Sequence, residues 1–245
     1  MNNLRVTVLY FAVVFLWVAG LRVVAAPLAD RGDDVGLNII QTSSAQFPNG
    51  VVMQGIHSGK VRLVVSIDAE GRLVDCLVVA YTNKAFVASA VNAVKEWKYE
   101  PAKVRGRPRA SRADLNFDFK ADLVVAVQNA EFNFLHDMLG TLNAFEPSQL
   151  KDLDHIPVPI HVVTPVIPDG VLAQGEMRNV TVDFYIDQEG KVRVPSVARD
   201  LVDDHLAAIA VEAVEQWRFE PPMRKGSAVL VLARQDFRFV AKPTR

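Results

Sequence analysis

The chain has 245 residues, 50% hydrophobic and 22% charged, with a formal net charge of −1 and a single cysteine. That composition excludes a disordered or collagen-like chain, and 27 basic against 28 acidic residues speaks against a general nucleic-acid binder. One thiol allows neither an internal disulfide nor a CxxC zinc or redox site.

The first element is a targeting segment. Met1 to Arg5 carries one positive charge, Val6 to Leu21 forms an apolar run, and Val23-Val24-Ala25-Ala26-Pro27 follows Arg22. A charged start, an apolar run and small residues predict a secretory signal peptide over 1–25. Val23 and Ala25 stand where a signal peptidase reads, with cleavage after Ala25. The alternative is an uncleaved N-terminal anchor, since Val6 to Ala26 approaches the roughly 20 residues of a spanning helix. Arg22 would be costly inside such a span. Cleavage removes Arg5 and Arg22 and no acid, leaving 25 basic against 28 acidic residues, or −3. A lone thiol suits export, because it has no partner for a wrong bridge.

The rest of the chain contains the same unit twice. Phe47-Pro48-Asn49-Gly50 aligns with Ile167-Pro168-Asp169-Gly170, and Glu96-Trp97-Lys98-Tyr99-Glu100-Pro101 with Gln216-Trp217-Arg218-Phe219-Glu220-Pro221. Both offsets are 120, and eight of sixteen positions are identical across 86–101 and 206–221. Ile67-Asp68-Ala69-Glu70-Gly71 aligns with Ile186-Asp187-Gln188-Glu189-Gly190 at 119. The expected organisation is repeat 1 over 37–121, a connector over 122–156 and repeat 2 over 157–241.

Each repeat reads as β-β-α-β, an α+β fold. Val61, Leu63, Val65 and Ile67 alternate with Arg62, Val64 and Ser66, as a half-buried strand requires. Val180, Val182, Phe184 and Ile186 repeat the pattern. Asp68–Gly71 and Asp187–Gly190 are hairpin turns, followed by second strands at 73–79 and 191–197. Cys76 shares a face with Val74 and Val78, which predicts a buried structural thiol. Phe86, Ala90, Val94 and Trp97, like Leu206, Ala210, Val214 and Trp217, recur at helical spacing. Asn83 and Asp203 or Asp204 are expected N-caps, and Pro101 and Pro221 expected stops. Third strands follow at 113–119 and 229–239. An all-antiparallel sheet then needs the first strand in the middle, order 2-1-3. Pro195 suits an edge strand. In the connector, Phe132, Leu135, Leu139 and Leu142 predict a helix from Asn129 to Phe145 that packs between the repeats. The prolines at 147, 157, 159, 165 and 168 favour an extended lead into repeat 2.

No residue pattern points to catalysis. The five histidines, His57, His136, His155, His161 and His205, lack metal-site spacing, and there is no nucleophile elbow, P-loop or dinucleotide glycine pattern. Neither a metal nor a cofactor is expected. Asp68, Glu70, Asp187 and Glu189 are read as turn residues, with a hydrolase built on them as a minor alternative. Trp97 and Trp217 are read as core plugs. One basic cluster stands out after the first helix: Lys103, Arg105, Arg107, Arg109 and Arg112. It is either a solvated loop or a contact for acidic partners or lipid headgroups.

The combination of Phe-Pro, an Ile-Asp-x-x-Gly hairpin, a helix ending Ala-Val-x-x-Trp-x-aromatic-x-Pro and a late Phe-x-Phe resembles the C-terminal domain of the TonB energy-transducer family. The resemblance covers about 47–120 and 167–240. It implies a helix on a small antiparallel sheet, lying in the periplasm, that binds N-terminal peptides of outer-membrane transporters by strand addition and serves nutrient uptake. The departures are Phe47-Pro48 and Ile167-Pro168 in place of Tyr-Pro and the lack of a long Pro/Lys-rich spacer. The N-terminal segment 6–26 also lacks the Ser and His that the family's anchor uses.

The expected function is therefore a non-enzymatic, exported periplasmic module of two tandem copies that binds peptides or proteins. Its membrane contact would come only through an uncleaved N-terminus. The expected site is the open edge of the last strand, Arg234, Gln235, Asp236, Phe237, Arg238 and Phe239, blocked by a proline at Gln235. The alternatives are a structural adaptor whose two repeats pair edge to edge into one continuous sheet, and a membrane-anchored transducer facing the periplasm.

Overall fold

Alternating apolar and polar residues build two copies of a three-stranded sheet. The computed structural model describes residues 35–48, 50–104, 106–121, 144–168, 170–173, 175–197 and 204–240. The expected signal peptide, most of the predicted connector helix, Arg105 and Asp203 lie outside the described residues. Those described belong to one unit, Asp33–Arg245.

Repeat 1 opens with β1 (Asn38–Gln41), then the hairpin of β2 (Ser58–Ile67) and β3 (Leu73–Tyr81). Helix α1 (Val87–Glu96) follows, then β4 (Lys98–Glu100), the small hairpin β5 (Ala102–Val104) and β6 (Arg107–Arg109), and β7 (Ser111–Lys120). Repeat 2 runs β8 (Pro159–His161), β9 (Met177–Ile186), β10 (Val192–Val197) and α2 (Asp204–Glu215). It ends with β11 (Arg218–Phe219), β12 (Met223–Arg224), β13 (Ser227–Ala228) and β14 (Val231–Val240).

The main sheets have orders β3-β2-β7 and β10-β9-β14, so the first long strand is central in each, as 2-1-3 requires. All their ladders are antiparallel. Each helix covers one face. Val61, Leu63, Val65 and Ile67 pack with Phe86, Ala90 and Val94 in repeat 1, and Val180, Val182, Phe184 and Ile186 with Leu206, Ala210 and Val214 in repeat 2.

The turns follow from side-chain chemistry. Asp68 Oδ1 accepts from the N–H groups of Glu70 (3.0 Å) and Arg72 (2.8 Å), and Asp187 Oδ1 from those of Glu189 (3.0 Å) and Lys191 (2.9 Å). The carboxylates read as turn residues are thus engaged in holding the hairpins. Asn83 Oδ1 accepts from Ala85 N at 2.9 Å and opens a short 3₁₀ turn that leads into α1. The helices end earlier than the prolines suggested, at Glu96 and Glu215. Trp97 already has extended backbone angles (φ −69°, ψ 152°), so a short strand separates each helix from its proline.

Each Trp then ties down the chain leading into its repeat. Trp97 Nε1 donates to the Ser43 carbonyl at 2.9 Å, and Trp217 Nε1 to the Val163 carbonyl at 2.8 Å. These carbonyls are 120 residues apart, the same offset as the two tryptophans. The lead-in residues add short ladders, β1 on β4 and β8 on β11.

The repeats meet through sheet faces. Val64, Leu77 and Val79 of repeat 1 and Tyr185, Val194 and Leu230 of repeat 2 form a third buried cluster, with Phe145 packed against it. Strand β10 lies against β3, β2 and β7. Among the described residues no ladder joins a strand of one repeat to a strand of the other. This replaces the edge-to-edge continuous sheet with a face-to-face contact. The physical reason is that β2 and β3 carry apolar residues on both faces, so the face away from α1 also needs cover.

Two further expectations are corrected. Phe145, placed at the end of the connector helix, is extended and bridges Tyr81, with N–H to carbonyl bonds of 3.0 and 2.9 Å. Val74 is exposed, because a register shift between Ser66 and Ile67 takes it off the face it was expected to share with Cys76. Cys76 itself is partly buried and packs on the first core. Burial, and secondarily the Asp75 charge, push its thiol pKa up, which suits an unreactive structural side chain.

Candidate partner-binding edges

Four strands are sheet edges: β3 and β7 in repeat 1, β10 and β14 in repeat 2. Two of them are blunted. Strand β3 has register shifts at both ends and is bridged at Tyr81 by Phe145. Strand β10 has a register shift between Arg193 and Ser196, where Val194 has φ 41° and Pro195 interrupts the ladder. It also lies against repeat 1. Bulges, proline and cover are the usual protections of an edge.

Strands β7 and β14 carry neither bulge nor proline, and the one bridge onto β14 among the described residues, from Ser148, touches only its start at Val231. Both are ten residues long, contain no proline and keep an unbroken register along their whole length. Such an edge presents a row of unpaired N–H and C=O groups to any extended segment.

The outward groups on β14 can be identified. The Leu230 carbonyl accepts from Ser148 N at 2.8 Å, on the side away from β9. Backbone groups alternate sides along a strand, so those of Leu232, Arg234, Asp236, Arg238 and Val240 face outward. Of the six residues expected from sequence, Arg234, Asp236 and Arg238 turn their backbone groups outward. Gln235, Phe237 and Phe239 turn theirs toward β9. A proline at Gln235 would therefore break the internal ladder; Asp236 is the position that blocks the edge alone.

The side chains divide in the same way. Phe239 is buried and Phe237 partly buried in the second core, with Phe237 5.8 Å from the Trp217 ring centre. Arg234, Asp236 and Arg238 are exposed. Arg234 Nε donates to Asp183 Oδ1 at 2.7 Å and its Nη2 to Oδ2 at 3.3 Å. Thr181 Oγ1 donates to Asp236 Oδ1 at 2.6 Å. These neighbours on β9 hold the polar face in a fixed orientation.

Of the basic cluster's described members, Lys103, Arg107 and Arg109 share the small β5–β6 hairpin, and Arg112 stands apart. Lys103 pairs with Glu100 at 3.2 Å, and its backbone pairs with that of Val35. Arg107 and Arg109 belong to the same β5–β6 hairpin, where Lys103 lies opposite Pro108. Arg112 leaves the group. Its Nη1 donates to Ser196 Oγ at 3.2 Å and its guanidinium stands 5.5 Å from the Tyr185 ring centre. Arg112 is a contact between the repeats, which sequence reasoning missed. The signal for that contact was present in Val64 and Tyr185, two large apolar residues on faces otherwise read as polar.

Among the described residues no group of three or more His, Cys, Asp or Glu could hold a metal ion, and no helix is long and apolar enough to cross a membrane.

The family described as Gram-negative bacterial TonB protein C-terminal matches residues 43–121 and 165–241. The chain belongs to that family. The two matched segments coincide with the two β-β-α-β repeats, so each repeat is a TonB C-terminal unit. Between them lies the stretch in which Phe145 and Ser148 bridge the end of β3 and the start of β14. Among curated proteins, none matches the chain.

Proposed function

We propose that this double TonB C-terminal module works in the periplasm, where it binds an extended peptide segment by strand addition to β14. Its partners are proteins of TonB-dependent outer-membrane transport, through their N-terminal segments, and it performs no catalysis. The observation that carries the reading is the contrast between edges: β10 is bulged, interrupted by Pro195 and packed on repeat 1, whereas β14 is ten residues long, in unbroken register with β9 and proline-free. Proteins usually blunt an edge of that kind, and one left open suits β-augmentation. Main-chain bonds from Arg234, Asp236 and Arg238 would supply affinity. Their exposed side chains would select the partner.

The test is fluorescence anisotropy of labelled transporter N-terminal peptides with the full chain and with Asp236→Pro. Proline at 236 removes an N–H that the β9–β14 ladder does not use, so the fold should survive. Binding that disappears in a folded Asp236→Pro variant supports strand addition at β14. Binding that is absent from the parent chain, or unchanged by the substitution, overturns it. Cell fractionation with N-terminal sequencing separately tests export: a mature chain beginning at Ala26 in the periplasm is expected, and an intact Met1 in the inner membrane would favour the anchored transducer.

A further inference from the structure

The offset of 120 places Asp114 opposite Arg234, Asn116 opposite Asp236 and Asp118 opposite Arg238 in the two repeats. The third strands thus share geometry and reverse charge at two of three central positions. The outward side of β7 is defined as that of β14 was. Ala121 N donates to the His57 carbonyl at 2.9 Å, continuing the ladder with β2 through the odd-numbered residues. The backbone groups of Asp114, Asn116, Asp118 and Lys120 consequently face away from β2. Their side chains are exposed, while Leu115 and Phe117 are partly buried on the core side.

We propose that β7 is a second strand-accepting edge, selective for a segment that alternates basic and apolar residues. One chain would then address two unlike partner segments independently. The proposal rests on the strand-addition reading of β14 and extends it to the repeat that reading leaves unused. Directly opposed residues on paired strands interact most strongly, and opposite charges there are favourable while like charges are not. A segment docked on β7 meets Asp114 and Asp118 on either side of neutral Asn116, with Lys120 at the strand's end, whereas one docked on β14 meets Arg234, shared with Asp183, and Arg238 on either side of Asp236. Asp118 has only a loose partner in Lys60, at 3.7 Å with both side chains well exposed, so its charge is available. Arg112, which would oppose this selectivity at the start of β7, is turned to Ser196 and Tyr185 instead. Among the described residues the two edges lie in separate sheets with no shared strand, so filling one leaves the other in place.

The probes are two ten-residue peptides, one alternating Lys and Val and one alternating Glu and Val, each titrated separately into the full chain at low salt. Asn116→Pro should weaken the Lys–Val peptide by about tenfold or more, because it removes an outward N–H and obstructs the docked strand while both aspartates remain, and leave the Glu–Val peptide unchanged. Asp236→Pro should do the reverse. Circular dichroism and melting confirm that each variant is folded. If Asn116→Pro unfolds repeat 1, the double charge reversal Asp114→Lys with Asp118→Lys serves in its place: it should lose the Lys–Val peptide and gain a second Glu–Val equivalent. Lys–Val binding that survives both changes, or that is lost in Asp236→Pro, overturns the second edge. Failure of the Glu–Val peptide and of the transporter N-terminal peptides alike to bind at β14 would sink strand addition itself, so the two failures are distinguishable.

Discussion

Arg193 of the second repeat holds Asp75 of the first: its Nε donates to Asp75 Oδ2 at 2.9 Å, while its Nη1 lies 3.6 Å from Asp187 Oδ2. One guanidinium therefore joins the hairpin turn of its own repeat to a strand of the other. The hydrogen bond to Asp75 is the largest influence raising the Arg193 pKa. Both paired side chains are about three-quarters buried, with 24% and 27% exposure, so solvent screens the contact less than a surface ion pair. Arg193→Ala should destabilise the chain by ~1–3 kcal/mol, since it strands Asp75 at the interface. Asp75→Ala should cost less, because Arg193 keeps Asp187. Urea unfolding of both single variants and the double variant checks this, with a coupling of at least ~0.5 kcal/mol expected.

The strand order, the hairpins and both helix positions were legible because the first and third strands of each repeat mostly set apolar residues on one face and polar residues on the other. Asp68 and Asp187 were read correctly as turn residues for the same local reason. The contact between the repeats was not legible, since it depends on residues that violate this pattern, Val64 and Tyr185, and one violation can be an ordinary exposed side chain. The register shift that exposes Val74 is a property of the β2–β3 pair, and no periodicity in β3 alone reports it. At the candidate site, the position of the edge followed from topology, but which residues face outward depended on a single hydrogen bond, Ser148 N to Leu230 O. Sequence alternation identifies exposed side chains such as Arg234, yet cannot say on which side its backbone bonds.

Gly190 and Gly71 permit the closest backbone approach in each repeat. Gly190 has φ +78°, and a Cβ there would sit 1.9 Å from the Phe219 carbonyl oxygen. Gly71 has φ +82°, with the corresponding distance to the Tyr99 oxygen 2.6 Å. The Gly190 carbonyl also accepts from Phe219 N at 2.8 Å, so the strand after the helix cannot move away without losing a bond. Gly190→Ala and Gly71→Ala should each cost more than ~1 kcal/mol, since the left-handed φ and the clash act together. Gly190→Ala should be the worse of the two in thermal unfolding.

The two indole bonds give a matched pair of tests. Trp97→Phe and Trp217→Phe keep most of the aromatic packing and remove only the N–H that holds Ser43 or Val163. Each should cost ~1–2 kcal/mol, the price of leaving a partly buried carbonyl without its donor. Hydrogen exchange discriminates this from general loosening. Protection should fall around 38–44 in Trp97→Phe and around 159–164 in Trp217→Phe, with the other repeat unchanged.

Tyr99 provides a pH dependence that one repeat has and the other lacks. Its hydroxyl donates to the Val94 carbonyl at 3.0 Å, and burial raises its pKa from 10.0 to about 12. Repeat 2 has Phe219 at the same place, with nothing to ionise. A group whose folded pKa lies above its unfolded value favours folding while it keeps its proton. Its contribution is therefore complete below pH 10.0 and is lost as the pH rises toward about 12. Tyr99→Phe should lose a little stability at neutral pH, about 1 kcal/mol for the hydroxyl bond. The same variant should become the more stable of the two above the ordinary tyrosine range, because it has no phenolate to bury. Chemical denaturation at neutral pH and near pH 11 checks the crossing, and parallel curves at the two pH values would refute the assignment to Tyr99.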